Sequence, residues 1–488
     1  MTGDSLRKTV PIIVLAALAV GCPFFTYHST EQRYPPHAFP TEASPPDAEA
    51  ARVTEGTITL SALKVDELSV TRSPFPMDRV DRGYPYPDLE RRRRWSPNDC
   101  ADRTLKTVVL ENEYLKVTTL PELGGRVFEA VFKPTGEQVF QRVDRLDPFE
   151  LYECGTSWMF ATGGLRFEFP SWGHDRNTEE PWEYTLHTWP NGTASVSYVR
   201  TDERTGLRLR NHVSLDPGRT WIRLNLELSN PTDRPCEGMV WVISGMTGTK
   251  GVEFVMPTDY AVEHGGERTF RWPRTGEVDW SYFRDWPDMQ AFFALDWRSD
   301  FSGLYDHSKQ QGFVRWARAV DMPGLKLWGA PRMGERYYVS LYGGTCQTME
   351  EKLALAPGEV KTWEELWYPL ANTGGLTEAS RELAVSLHTA DPEGPRGPIG
   401  TRGGKLRVAV MPTRVHPGAT VRIARGARTL LEKKVDLTPK AALVETVDLA
   451  GEGQTLTVRV TGVEGRVLID RTVEVDAIRP AFAAGEKK

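Results

Sequence analysis

The chain has 488 residues, with 60 basic against 66 acidic side chains, a net charge of −6 and 40% hydrophobic residues that include 15 Trp. That is enough apolar material for more than one packed core, and the negative balance excludes a nucleic-acid partner held by phosphate contacts. The cysteines are scattered and form no C-x-x-C pair, so neither a metal site nor a cofactor is expected.

At the start, Arg7 and Lys8 precede an apolar run, residues 10–20, that is too short to span a bilayer. The run ends in Leu18-Ala-Val-Gly-Cys22, which resembles the bacterial lipobox, where cleavage exposes a cysteine that is then acylated. On this reading residues 1–21 are a lipoprotein signal peptide and Cys22 carries the lipid. The alternative is ordinary cleavage after Gly21, leaving a plain thiol. Lipidation implies a membrane-anchored protein of the bacterial cell envelope, on its periplasmic or surface face. Residues 22–52 carry Pro23, Pro35, Pro36, Pro40, Pro45 and Pro46 without apolar periodicity, as suits a flexible tether. The basic run at residues 91–94 reads as a solvated or ion-paired surface stretch.

From residue 53 to about 370 the chain is a succession of short β-like runs: 108–119, 193–200, 207–215, 221–229, 239–243, 337–342 and 362–368. Asn-Gly, Pro-Gly and Asn-Pro pairs separate them, and no long helical period intervenes. The fold expected is all-β. In residues 221–229, Ile222, Leu224, Leu226 and Leu228 point one way and Arg223, Asn225 and Glu227 the other, as in a half-buried strand. Further on, Thr377 can cap a short helix with Leu383, Ala384 and Leu387 on one face, followed by a Pro/Gly-rich linker, so residues 371–404 read as short helix and linker. Alternation returns over residues 405–478, enough for a small Ig-like β-sandwich without the Cys…Trp…Cys spacing of antibody domains.

Two phrases stand out. One is Thr107-Val-Val-Leu-Glu-Asn-Glu-Tyr-Leu-Lys-Val-Thr-Thr-Leu-Pro-Glu-Leu-Gly-Gly-Arg126. The other is Gly163-Gly-Leu-Arg-Phe-Glu-Phe-Pro-Ser-Trp-Gly-His174. In the second, Leu165, Phe167 and Phe169 alternate with Arg166 and Glu168, giving one apolar and one ionisable face. Together with "RGYPYPDLE" (residues 82–90), "KPTGEQVF", "LYDHSKQQGF" (304–313) and "LWYPL" (366–370), these motifs resemble the bacterial DUF5107 family over roughly residues 52–370. The resemblance implies a galactose mutarotase-like β-supersandwich and a carbohydrate ligand.

Mutarotase-like ring opening needs a carboxylate to take the anomeric proton and an acid, often His, to protonate the ring oxygen. The resemblance therefore points to Glu168 as base and His174 as acid, with Arg166, Asp175, Glu179 and Glu180 nearby and Trp172 and Trp182 as flat faces for sugar C–H groups. Arg166–Glu168 also reads as a structural ion pair. Asp306 and His307 are either site residues or a turn-capping pair, and His264 has the same standing. Tyr338, Ser340 and Tyr342 share one strand face, either in the cleft or in a core. Relatives commonly carry Glu at the position of Arg166, Asn at that of Glu168 and Glu at that of Ser340. The chain is then either an aldose epimerase-like or glycan-cleaving enzyme with Glu168 as a replacement base, a glycan-binding module without turnover, or an inactive scaffold or protein-docking lipoprotein. Cys100, Cys154, Cys236 and Cys346 form either disulfides of undetermined pairing or buried free thiols.

Overall fold

The computed structural model describes residues 48–63, 70–71, 86–87, 100–146, 163–170, 176–178, 180–265, 268–297, 299–333, 336–389, 404–449, 453–475 and 478–480. The signal peptide, Cys22, almost all of the tether, the basic run at 91–94, Cys154, Trp172, His174, Asp175, Glu179 and most of the Pro/Gly-rich linker lie outside the described residues.

Two large sheets dominate, as the resemblance to the DUF5107 family implies. The first has 13 strands, and its middle runs Gln290–Leu295, Gly324–Met333, Arg336–Gly344, Trp241–Gly248, Gly164–Glu168, Arg126–Phe132 and Leu115–Leu120. The second has 8 strands, in the order Glu183–Thr188, Ala194–Thr201, Arg208–Leu215, Ile222–Ser229, Val360–Ala371, Gln311–Trp316, Phe301–Asp306 and Val252–Val255. Their facing sides close over one core that includes Val117, Leu165, Phe167, Val213, Leu224, Leu226, Phe313 and Trp367. This is a β-supersandwich.

The expected run over 108–119 is two strands, because Asn112 turns the chain. Its side-chain oxygen accepts the backbone N–H groups of Tyr114 and Leu115, closing a hairpin between Cys100–Glu111 and Leu115–Leu120. The strand Ile222–Ser229 keeps its alternation, but its polar side is also covered: Arg223 lies 2.7 Å from Asp216 and Glu227 lies 3.4 Å from Arg210. Inside the sandwich, Arg315 and Glu365 form a fully buried pair, 2.7 Å from Nε to Oε2, to which the Trp367 indole N–H also donates. The Arg315 guanidinium lies directly under Gly343 of the opposite sheet, where any Cβ would collide with it.

The C-terminal region is a second sandwich, of a 5-stranded sheet built on Leu383–Thr389, Lys405–Pro412 and Leu443–Asp448 and a 4-stranded sheet, Arg428–Leu437, His416–Arg425, Thr455–Thr461 and Val467–Glu474. The helix expected within residues 371–404 is instead the strand Leu383–Thr389. Leu383, Val385 and Leu387 alternate into this sandwich's core, and β-branched Val385 favours the extended form. Thr377, expected as a helix cap, clamps Leu387 instead: its hydroxyl donates to Leu387 O and accepts from the Leu387 N–H. The second sandwich therefore begins near Glu378, not at residue 405.

Glu382 ties the two sandwiches together. Its carboxylate meets Arg219 of the large sandwich at 2.9 Å, and Arg466, Arg414 and His416 of the small one at 2.8, 3.4 and 3.4 Å. Burial alone raises its pKa, but the His416 hydrogen bond and the Arg219 and Arg414 charges outweigh that, holding it well below the usual carboxylate range. The Tyr368 hydroxyl donates to Ser380 O, and Thr220 N–H donates to Thr413 O, across the same junction.

Cys100, Cys236 and Cys346 are free thiols, so the disulfide alternative fails for these three. No described helix is long and apolar enough to cross a membrane.

Candidate functional site on the outer face of the large sheet

The strand Gly164–Glu168 has the two faces its sequence predicts. Leu165 and Phe167 enter the core between the sheets, followed by Phe169. Arg166 and Glu168 project to the other side, where they pair at 3.2 Å with almost no exposure.

Strand register extends that side into a surface. Arg166 is opposite Ile243, Ile243 opposite Tyr342, Tyr342 opposite Lys326, and Lys326 opposite Phe293, so one row crosses five strands. A neighbouring row sets Glu168 opposite Trp241, and two others bring Ala291, Trp328 and Ser340, and Tyr338 and Ala330, to the same face. Arg126 joins from the next strand. It stands one position before Val127, which pairs with Leu165, and so projects to the side of Arg166.

The face is covered and has its own apolar cluster, which includes Trp241, Ile243, Phe293, Trp328, Tyr338 and Tyr342. Trp328 and Tyr338 meet edge to face at 5.5 Å. The Tyr338 ring and hydroxyl lie over Gly245, where a Cβ would collide with them, and among the described residues the buried hydroxyl has no hydrogen-bond partner.

Charges among these rings are strongly perturbed. Burial, reinforced by the like charge of Arg166, pushes the Arg126 guanidinium down to about 9; it still donates to Leu123 O and Thr178 O. Burial also pushes Lys326 down to about 7, against the attraction of Glu168 and with the repulsion of Arg166. The Tyr342 hydroxyl is raised well above its ordinary value, again by burial first. A buried set of cations, a carboxylate and phenols among flat rings can bind a polar, non-planar ring and exchange protons with it.

Of the residues singled out from sequence, the structure brings Arg166, Glu168, Tyr338, Ser340 and Tyr342 to one face. His264 joins at its margin, with its ring 5.6 Å from that of Phe293. Trp182 does not belong: it packs in the inter-sheet core against Phe167 and Phe169, with its indole N–H donating to Asn177 O, because it sits on the opposite side of the Arg166 strand. Asp306 and His307 lie on the other sheet. Asp306 caps a turn by accepting from Thr249 and Ser308, while His307 binds Glu253 at 2.8 Å and faces His388 of the small sandwich. Trp241 and Trp328, not Trp182, supply the indoles near the pair. Sequence reading missed Arg126, Trp241, Lys326 and Trp328. The available signal was the run Gly324-Leu-Lys-Leu-Trp-Gly329, in which Lys326 and Trp328 alternate with two leucines.

Residues 79–370 match the family described as Domain of unknown function (DUF5107), and residues 378–470 match YphG-like protein, second domain. Among solved structures the chain is similar to a TPR-domain containing protein from Parabacteroides distasonis ATCC 8503, with 21% identity, a TM-score of 0.55, and 66% of this chain and 56% of that one covered. It thus spans little more than half of that protein's length. It is also similar to a galactose mutarotase-like protein from Clostridium acetobutylicum, with 13% identity, a TM-score of 0.44, and 55% of this chain and 96% of that one covered. For a galactose mutarotase-like protein from Lactobacillus casei ATCC 334 the figures are 10%, 0.40, and 54% and 99%. The first match covers more than half of the chain and contains every strand of the polar face, and on that basis the chain belongs to the DUF5107 family.

Proposed function

We propose that the protein is a lipid-anchored component of the cell envelope that binds or processes a carbohydrate on the outer face of its 13-stranded sheet. The observation that carries this reading is the mixture on that face: the Arg166–Glu168 pair, the unpartnered Tyr338 hydroxyl and the Trp241 and Trp328 indoles. Pyranose C–H faces pack on such rings, and sugar hydroxyls need the polar groups between them. In the processing version, Glu168 removes the anomeric proton and His174 supplies one to the ring oxygen. The binding-only version is favoured by a specific contact: Glu168 is already engaged by Arg166.

The test uses the full chain in a detergent without a sugar head group. Anomer interconversion is followed by polarimetry and binding by calorimetry, over a panel of aldoses and oligosaccharides. If the site turns over, Glu168→Gln should reduce the rate about 100-fold or more. If it only binds, the same change should weaken affinity about tenfold without rate data to lose. Neither binding nor turnover on the whole panel would overturn the carbohydrate reading and favour a docking role.

The anchor has a separate test. Cys22→Ser should move the protein from the membrane to the soluble fraction, and wild-type Cys22 should carry acyl mass. Unchanged detergent partitioning with no acyl mass would remove the lipoprotein claim.

A further inference from the structure

Lys326 is a buried charge that the described residues leave without a carboxylate partner. It is 4% exposed. Its ammonium lies 5.1 Å from the Phe293 ring, 4.9 Å from the Tyr342 ring and 3.4 Å from the Met349 sulfur, and among the described residues it forms no ion pair. Two ring faces and a thioether recover only part of the hydration a lysine loses on burial. A structural lysine at such a position ordinarily has a carboxylate, or is replaced by an apolar residue. Here the carboxylate of the face, Glu168, is bonded to Arg166, and Arg126 adds another cation to the same side.

We propose that this face takes an anionic sugar, one bearing a carboxylate, sulfate or phosphate, and that Lys326 is the residue that selects it. The proposal rests on the carbohydrate reading above and adds the ligand's charge. The anion would supply the partner that the protein withholds from Lys326, while Trp241 and Trp328 receive the ring. Binding of an anion must also favour the ammonium form of Lys326. In the free protein that form is disfavoured near neutral pH, first by burial and then by Arg166, with Glu168 and Glu350 acting the other way; Tyr342 and Phe293 face it as neutral rings. Anion affinity should therefore fall as pH rises from about 6 to 9.

The experiment measures binding of galacturonate and glucuronate, of galactose 6-sulfate and glucose 6-phosphate, and of galactose and glucose, to the full chain by calorimetry at pH 6 and pH 9. At pH 6, at least one anionic series should bind about tenfold or more tighter than its neutral parent. The series that does so separates a carboxylate from a sulfate or phosphate. In Lys326→Met, whose folding is checked by melting temperature, the ratio of anionic to neutral affinity should collapse to within about twofold, and the pH dependence of that ratio should vanish. Neutral sugars binding as well as anionic ones in the wild type, or an unchanged ratio in Lys326→Met, would overturn this inference and leave the carbohydrate reading standing. No binding of any sugar would overturn both.

Discussion

Glu365→Ala is expected to destabilise the protein by about 3–5 kcal/mol, the usual cost of removing one partner from a buried ion pair. Neither Arg315 nor Glu365 is exposed at all, and the Arg315 guanidinium is confined beneath Gly343 of the facing sheet, so it cannot swing out to water when its carboxylate is lost. The Trp367 indole N–H would lose its acceptor in the same step. Replacing both charges, as in Arg315→Met with Glu365→Leu, should restore most of the loss, because the desolvation penalty disappears with the ions. Denaturant unfolding of the two single variants and the double variant measures both effects. A loss below about 1 kcal/mol for Glu365→Ala would mean that water reaches the pair.

Lys326→Met should stabilise the protein, and the gain should depend on pH in a defined direction. The folded-state value of about 7 lies below the ordinary lysine value of 10.5. Between those limits the unfolded chain holds more protons than the folded one, so wild-type stability rises with pH across the window. Below about pH 7 the full penalty of the buried ammonium is present, and near pH 10.5 it has gone. Each tenfold change in proton affinity is worth about 1.4 kcal/mol, which puts the gain on the order of 5 kcal/mol at pH 6 and near zero above pH 10.5. Thermal or denaturant unfolding at pH 6 and pH 10 shows it. A pH-independent gain, or a loss at pH 6, would mean that Lys326 is stabilised as an ammonium in the folded protein.

The β class was legible because strand patterning is local. Leu165, Phe167 and Phe169 reveal by alternation alone which way Arg166 and Glu168 face. The site as a whole was not legible, since Lys326 reaches the row through pairings between strands far apart in the chain, from Arg166 to Ile243 to Tyr342. A motif cannot display such register. Trp182 was misplaced for a related reason: proximity in sequence to a polar strand does not tell which side of the sheet a ring will take. Residues 377–388 were misread because Leu383, Ala384 and Leu387 fit a helical face while Leu383, Val385 and Leu387 fit a strand. Val385 was the residue that could have decided between them.

The junction at Glu382 changes what counts as a unit of this protein. A border after residue 370 exists in the family matches, but the free energy does not respect it. Detaching the small sandwich would strip Arg219 of its carboxylate, Tyr368 of its acceptor and Thr220 of its backbone partner, all on the large sandwich. Cutting there would leave a donor-rich wound on the part that carries the Arg166–Glu168 face. The two sandwiches are therefore expected to unfold as one cooperative body, with the second acting as a lid on the end of the first rather than as cargo on a string.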